Sequence, residues 1–571
     1  MLLTVLLVSA NSSHLFAQGG SGMNPTQAMN VTEVVVQWDS IIPDLSLQKS
    51  VTPKILKAVN IYPNSNVSAF DLDVAQSRVM ALPEVQKMKW QIELLSGNNI
   101  RLVIMVRLAD KLKDITEKRG IIGSGKRNEF PAIYMDEKSY LKFNLSGNFT
   151  PTLITNTWWG NGKTFTEFNP YGKNPPGTEP ALDFEAYLMA GFSGITRISD
   201  GEMPLYVYGT VNALGVTTLG DELYNADSHT YELQIEEAYA GIVGAKTTES
   251  GHLMRFLVSF GKQPYRIGNG MLICQIAGNG GVWGGMNAWP RFAGKYVGLA
   301  KFAYDKWRFE GFYIQPNEYE FNNSETKLAG VNAEFNQSYG FSTGFTFLNV
   351  LDSKFPYFYP DYSQTTRDGL NAMNLRMQWI PKPNESFLYA KAEGGYQFNG
   401  KIPMRAYGMA FEGGWQFGNV NLRPTISYRY SLLTGDDPET ERYEKWDILY
   451  SGDDVTTWVQ GPLMKNILFN SNLETSRFQL QLFPVGWRVT GQFSYFLANQ
   501  LNTLPSPPVV TFSHEQIGQE ASLIVERFVS RNIYVRMMAT SLWAGKGFEN
   551  KLPNPVTKPW TELIAMVKFS F

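Results

Sequence analysis

The chain has one cysteine, Cys274, and four histidines among its 571 residues. A single thiol cannot close a disulfide within the chain, and it cannot build a multi-cysteine zinc or iron–sulfur site. His14, His229, His252 and His514 stand apart from one another, with no partner at hydrolase or metal spacing. No catalytic residue, metal site or cofactor is expected, and the chain does not read as an enzyme. Long apolar runs are also missing. Beyond the first twenty positions nothing approaches the ~18 apolar residues that a membrane helix needs. Charge of one sign is missing too, because 50 Lys+Arg stand against 52 Asp+Glu, so nothing draws the whole chain toward nucleic acid.

What is present is aromatic and alternating. Aromatic residues make up 14% of the chain beside 51 glycines, a mixture suited to strands with one apolar and one polar face. In LRMQW, Leu375, Met377 and Trp379 share a face opposite Arg376 and Gln378. RFQLQLF sets Phe478, Leu480 and Leu482 against Arg477, Gln479 and Gln481, and WRVTGQFSYF and NLRPTISYRY repeat the scheme. The runs are commonly ten residues or more, the length of a membrane strand, whereas a soluble sandwich uses about five or six. The last segment, TELIAMVKFSF, alternates as well and ends on Phe571, which resembles the terminal signal of outer-membrane barrels. Residues 139–571 are therefore expected to form an all-β transmembrane barrel of about 18 antiparallel strands, at roughly 24 residues per strand and connection.

The amino-terminal part is different. Residues 1–18 read as a secretory signal, with an apolar Leu2–Ala10 run and a small Ala17 near the cleavage point. Residues 31–110 give the order β-α-α-β-β, the last two strands joined at Gly97-Asn98-Asn99. That order resembles a POTRA domain, the small α+β periplasmic module ahead of many outer-membrane barrels, and the resemblance implies a periplasmic protein partner. Residues 111–138 form a charged linker. Within it Gly120–Lys126 has phosphate-loop spacing, but Arg127 stands where a Ser or Thr must hold magnesium, so it is read as linker.

Parity along the strands places Arg255, Arg308, Arg376, Arg423, Arg429, Arg477, Arg488 and Arg536 inside the barrel, with few inward acids, notably Glu310, Glu393 and Glu412. Such a lining lowers the barrier for anionic solutes. Glu236 and Glu237, being adjacent on a strand, are expected to face opposite sides. The richest motif runs from Ser427 to Tyr450: Arg429-Tyr430, then Gly435, Asp436, Asp437 and Pro438, then Tyr443-Glu444-Lys445-Trp446-Asp447 and Leu449-Tyr450. This segment resembles the alginate export family, and IEEAYAGI and GKQPYRIGNGMLI agree with it more weakly. The acidic loop has no calcium-loop spacing and is read as solvated. The resemblance implies an eighteen-stranded barrel in the outer membrane that passes an anionic polysaccharide through a basic lumen with internal loops as gates. The alternative is a POTRA-bearing barrel for protein insertion or secretion, which would add client strands to a sheet edge.

Overall fold

The computed structural model describes residues 29–570 except 39–44, 110–131, 157–179, 221–229, 453–460, 465–470, 504–510, 549–557 and some shorter turn segments. The signal segment, the Gly120–Lys126 stretch, His229, His252 and Phe571 lie outside the described residues.

The amino-terminal unit runs β1 (Met29–Trp38), α1 (Leu45–Val59), the two-residue β2 (Asn66–Val67), α2 (Ala69–Met80), β3 (Val85–Leu94) and β4 (Asn99–Leu108). Its sheet has the order β2-β1-β4-β3, with β1 parallel and β3 antiparallel to β4. A parallel β1–β4 pair needs a long crossover, and the two helices are part of it. Alternation then decides the core: Leu102, Ile104 and Val106 of β4 pack with Val51, Ile55, Leu72 and Val79 of the helices.

A short β5 (Ala132–Met135), in the stretch read as linker, pairs with the first residues of the first barrel strand. The barrel strands are β6 (Ser139–Thr155), β7 (Ala181–Ser199), β8 (Leu205–Gly220), β9 (Thr230–Thr247), β10 (Leu253–Lys262), β11 (Tyr296–Tyr304), β12 (Trp307–Gln315), β13 (Lys327–Phe335) and β14 (Gly340–Asp352). A small hairpin, β15 (Pro356–Phe358) and β16 (Gln364–Thr366), intervenes. The ring continues with β17 (Leu370–Ile380), β18 (Phe387–Asn399), β19 (Arg405–Gln416), β20 (Thr425–Leu433), β21 (Leu473–Leu482), β22 (Trp487–Ala498), β23 (Gln516–Ser530), β24 (Ile533–Ala544) and β25 (Trp560–Ser570). Neighbours pair antiparallel in chain order, and β25 closes on β6, with Leu563 opposite Leu153. This is a closed antiparallel barrel of 18 strands. Closure pairs the ladder all round and leaves no sheet edge.

The alternating residues sort as the period of two requires. Leu375, Met377, Trp379, Phe478, Leu480, Ile426, Tyr428 and Leu563 are exposed on the outer surface, together with Phe345, Phe411, Leu523 and Met537. Their polar neighbours Asn374, Gln479, Ser427, Gln492 and Thr540 are buried inside. Among the described residues no helix is long and apolar enough to cross a membrane. An exposed apolar belt around a closed, polar-filled sheet is the construction of a membrane-spanning barrel.

The two ends differ. Tight connections such as those from Tyr304 to Trp307, Leu482 to Trp487 and Ser530 to Ile533 all lie at one end, and the amino-terminal unit sits there. At the other end are the long connections from Lys262 to Tyr296 and from Leu433 to Leu473. Both fold inward and are largely buried. The β10–β11 loop buries Tyr265, Met271, Ile273 and Phe292, and the β20–β21 loop buries Tyr443, Trp446 and Leu449.

Candidate permeation path

The two inward loops meet inside the barrel. Cys274 N and Gln275 N donate to Tyr450 O at 2.8 and 3.1 Å, Tyr450 N to Leu272 O at 3.1 Å, and Gly452 N to Gly270 O at 3.0 Å. This is a short ladder between segments far apart in sequence. In it Leu272, Cys274 and Gln275 are satisfied by another loop, while Ile276 O accepts from Asn317 N just beyond β12 at 2.8 Å.

Wall carboxylates hold the loops by a repeated device. Glu185 Oε2 accepts from Asn287 N and Ala288 N, both at 2.6 Å. Glu236 Oε1 accepts from Phe292 N and Ala293 N, both at 2.9 Å. Glu520 Oε2 accepts from Leu463 N at 2.9 Å and Met464 N at 3.0 Å. One carboxyl oxygen thus takes two successive backbone amides each time, a directional way to pin a loop. The expectation that Glu236 and Glu237 face opposite sides is wrong. A β-bulge between Asn212/Ala213 of β8 and this stretch of β9 shifts the register, and both carboxylates are fully buried inside. Glu237 accepts from Asn212 Nδ2 at 2.5 Å, while Glu236 also stands 3.5 Å from Arg291 Nε. A bulge leaves no mark in a binary pattern, so the sequence carried no signal for it.

Seven of the eight predicted arginines project into the lumen. Arg429 and Arg477 share Glu412, at 2.5 and 3.6 Å, with Lys391 at 3.3 Å from the same carboxylate. Arg488 and Arg536 share Glu526, at 2.7 and 3.9 Å. Arg376 reaches Glu334 at 3.3 Å and also donates to Asn332 at 2.7 Å and Thr346 at 2.9 Å. Arg308 lies beside Glu334, and Arg255 is exposed to the interior near it. Arg423 is the exception. It stands in the β19–β20 turn with φ of 42°, after Leu422 at 65°, because β20 begins only at Thr425. Its guanidinium lies over the Phe483 ring and next to Arg101 and Glu93 of the amino-terminal sheet.

An arginine lining with few acids is likewise corrected. The inward wall cations lie between the middle of the wall and the tight turns, where Glu334 and Glu526 join the expected Glu310, Glu393 and Glu412. In the half nearer the long loops the buried inward wall charges are acids: Asp183, Glu185, Glu236, Glu237, Glu520 and Glu562. The path therefore has a basic belt at one end and a carboxylate wall at the other. The inward acids of β7 and β9 could have been found by applying parity to every strand, once the bulge was known.

The Ser427–Tyr450 motif is the root of an inward loop, not a solvated acidic loop as a whole. Asp436 is buried, accepts from Glu444 N at 2.7 Å, and is pushed up to about 6 by burial. Gly435 N donates to Asn499 Oδ1 at 3.0 Å. Asp437 and Pro438 form the outer turn, with Glu439 N on Asp437 Oδ1 at 2.9 Å. Tyr443 stacks on Tyr357 at 4.4 Å. Asp447 receives a two-pronged pair from buried Arg367, Nε at 2.6 Å and Nη2 at 2.8 Å. These acids brace the loop, and no cluster of metal-ligating side chains occurs among the described residues.

A closed barrel with an apolar outer belt, a charged interior and two inward loops defines a membrane-spanning β-barrel of 18 strands. No family model matches the chain, and no curated protein matches it either. Among solved structures, OccAB4 of Acinetobacter baumannii is similar with 9% identity and a TM-score of 0.45, over 75% of this chain and 98% of that one. OpdL of Pseudomonas aeruginosa gives 7% and 0.44, over 76% and 98%. OpdK of the same organism, crystallised with vanillate, gives 8% and 0.41, over 75% and 98%.

Proposed function

We propose that this protein is an outer-membrane channel that passes an anionic solute, with a carboxylated polysaccharide as the substrate class and export as the direction. The carrying observation is the sorting of wall charge: the inward cations Arg308, Arg376, Arg429, Arg477, Arg488 and Arg536 lie between the middle of the wall and the tight-turn mouth. In bacterial outer-membrane barrels the tight turns face the periplasm, so the amino-terminal unit and the basic belt face the compartment in which an exported polyanion would arrive. Guanidinium groups at an entry raise the local anion concentration and lower its barrier. The Arg429–Glu412–Arg477 trio combines two fixed cations with one acid, and the paired inward loops narrow the path beyond it. Residues 31–110 are a candidate docking site for a periplasmic protein.

The test is the reversal potential of the purified barrel in a planar bilayer under a salt gradient. Anion preference is the expected result, lost or reversed in the Arg429→Glu, Arg477→Glu double variant. A cation-selective wild-type pore overturns the reading. One observation favours protein insertion or secretion as a second reading: beyond Asn30 the outer edge of β1 pairs with no described strand. Eighteen strands weigh against it, since that class usually has sixteen. Depletion of the protein followed by a survey of outer-membrane proteins separates the two, because broad loss of other barrels belongs to insertion alone.

A further inference from the structure

The amino-terminal unit touches the barrel at widely separated points of the ring. Glu33 of β1 accepts from the Tyr339 hydroxyl in the β13–β14 turn at 3.4 Å. Arg101 and Glu93 lie beside Arg423 in the β19–β20 turn. Leu95 O accepts from Arg488 Nη1 at the start of β22, at 3.1 Å. Phe528 and Tyr534, on either side of the β23–β24 turn, belong to the hydrophobic core of the unit itself. Arg78 of α2 is close enough to Tyr206 at the start of β8 to act on it electrostatically.

Because ring order follows chain order, β8, β14, β20 and β24 are spread around the circumference, and the β13–β14 and β23–β24 turns stand almost half the ring apart. A unit hung on one rim could not reach all of them. This one lies across the opening.

Its sheet is built for that seat. Arg101 of β4 bridges Glu33 at 2.8 Å and Glu93 at 3.0 Å, forming a charged row across β1, β4 and β3. Alternation puts this row on the face opposite Leu102 and Ile104, which pack on the helices. The row looks onto Tyr339 and Arg423 of the barrel rim. The contact continues into the basic belt: Arg488 joins Leu95 O to Glu526 at 2.7 Å, and Glu526 accepts the Tyr534 hydroxyl.

We propose that residues 29–109 form a built-in cap on the tight-turn mouth, seated on the arginine belt, and that solute enters only when this cap undocks. The proposal rests on the channel reading above. Its two states are a seated cap, held by the Arg488–Leu95 bond and the Phe528–Tyr534 packing, and a tethered, displaced one. Any ligand or partner that prefers the displaced unit would open the channel.

The test uses the full chain in planar bilayers. In a Cys274→Ser background, Glu33→Cys and Tyr339→Cys are bridged by a short reducible bis-thiol reagent, which locks the cap in place. Undocking is forced separately with Glu93→Lys plus Phe528→Lys, insertion being checked by the heat-dependent gel shift of folded barrels. The expected result is that bridging abolishes openings, reductant restores them, and the undocked variant shows an open fraction about tenfold above wild type, the response of a two-state equilibrium that has lost seat contacts. Openings of equal frequency in the bridged and the reduced protein overturn the cap while leaving the channel reading intact. A protein that stays silent when bridged, reduced and undocked overturns the channel reading and the cap together. If the undocked variant fails to insert, the bridging arm decides alone: openings that appear on reduction support the cap, and none overturn it.

Discussion

The two halves of the lumen wall use the same residue, glutamate, for different work. Near the tight turns Glu412 and Glu526 are counter-ions, each surrounded by cations from neighbouring strands. Near the long loops Glu185, Glu236 and Glu520 mostly meet backbone amides, two apiece. In the first setting the carboxylate trims the charge that a passing solute meets. In the second its oxygen accepts backbone amides, and what it contributes is the position of a loop. The difference follows from what stands opposite on the wall, and the half-barrel sorting of lysine and arginine decides that.

The comparison can be broken most severely inside the β20–β21 loop. Asp447→Ala leaves the buried Arg367 guanidinium without its carboxylate partner, and loss of one partner of a buried pair costs about 3–5 kcal/mol. Thermal unfolding and hydrogen exchange should show this loop released first, with belt selectivity retained. A smaller effect is expected from Glu520→Ala, which strands two amides. With charged hydrogen bonds contributing about 1.5–3 kcal/mol, exchange at Leu463 and Met464 should accelerate about a hundredfold, the factor that ~2.7 kcal/mol gives. Glu520→Gln, which keeps an acceptor oxygen, should recover part of that protection; no recovery would show that charge alone holds the loop. Glu412→Gln tests the other half. It should strengthen anion preference in the reversal potential while leaving exchange at Leu463 and Met464 unchanged, and an effect on those amides would mean that the two halves are not separate.

Much of the barrel was legible because a period of two is a local signal. Leu375, Met377 and Trp379 declare their face without reference to any other strand, and so do Phe478 and Leu480. Parity also placed seven arginines inside. It failed at Arg423 because Leu422 and Arg423 continue the alternation into a turn whose positive φ values are invisible in the pattern. It failed at Glu236 and Glu237 because one bulge reverses the face of everything beyond it. The inward loops were illegible for a different reason. Met271–Ala277 is as apolar as a strand, and its pairing with Tyr450, far along the chain, and with Asn317 shows where it goes. The family resemblance at Ser427–Tyr450 marked a real structural unit, but the partners that make it one, Tyr357, Arg367 and Gln397, lie outside the motif.

The smallest effect concerns proton occupancy in that same loop. Burial lowers Lys445 from 10.5 to about 7 and raises Asp436 from 3.8 to about 6. Between about 7 and 10.5 the unfolded loop binds more protons than the packed one, so packing gains stability as pH rises through that window. Between 3.8 and about 6 the packed loop binds more, so packing gains stability as pH falls. The two slopes leave the loop least stable between about 6 and about 7, where a charged lysine and a charged aspartate are both buried. Protection of the β20–β21 loop amides from hydrogen exchange, taken relative to their intrinsic rates at each pH, should therefore be lowest near the middle. Lys445→Met should flatten the upper limb and Asp436→Asn the lower one. Neither change should alter the reversal potential, because the belt that sets it carries its charge on wall arginines and on neither of these two groups. A selectivity change in either variant would show that loop position, and not the belt alone, governs which ions pass.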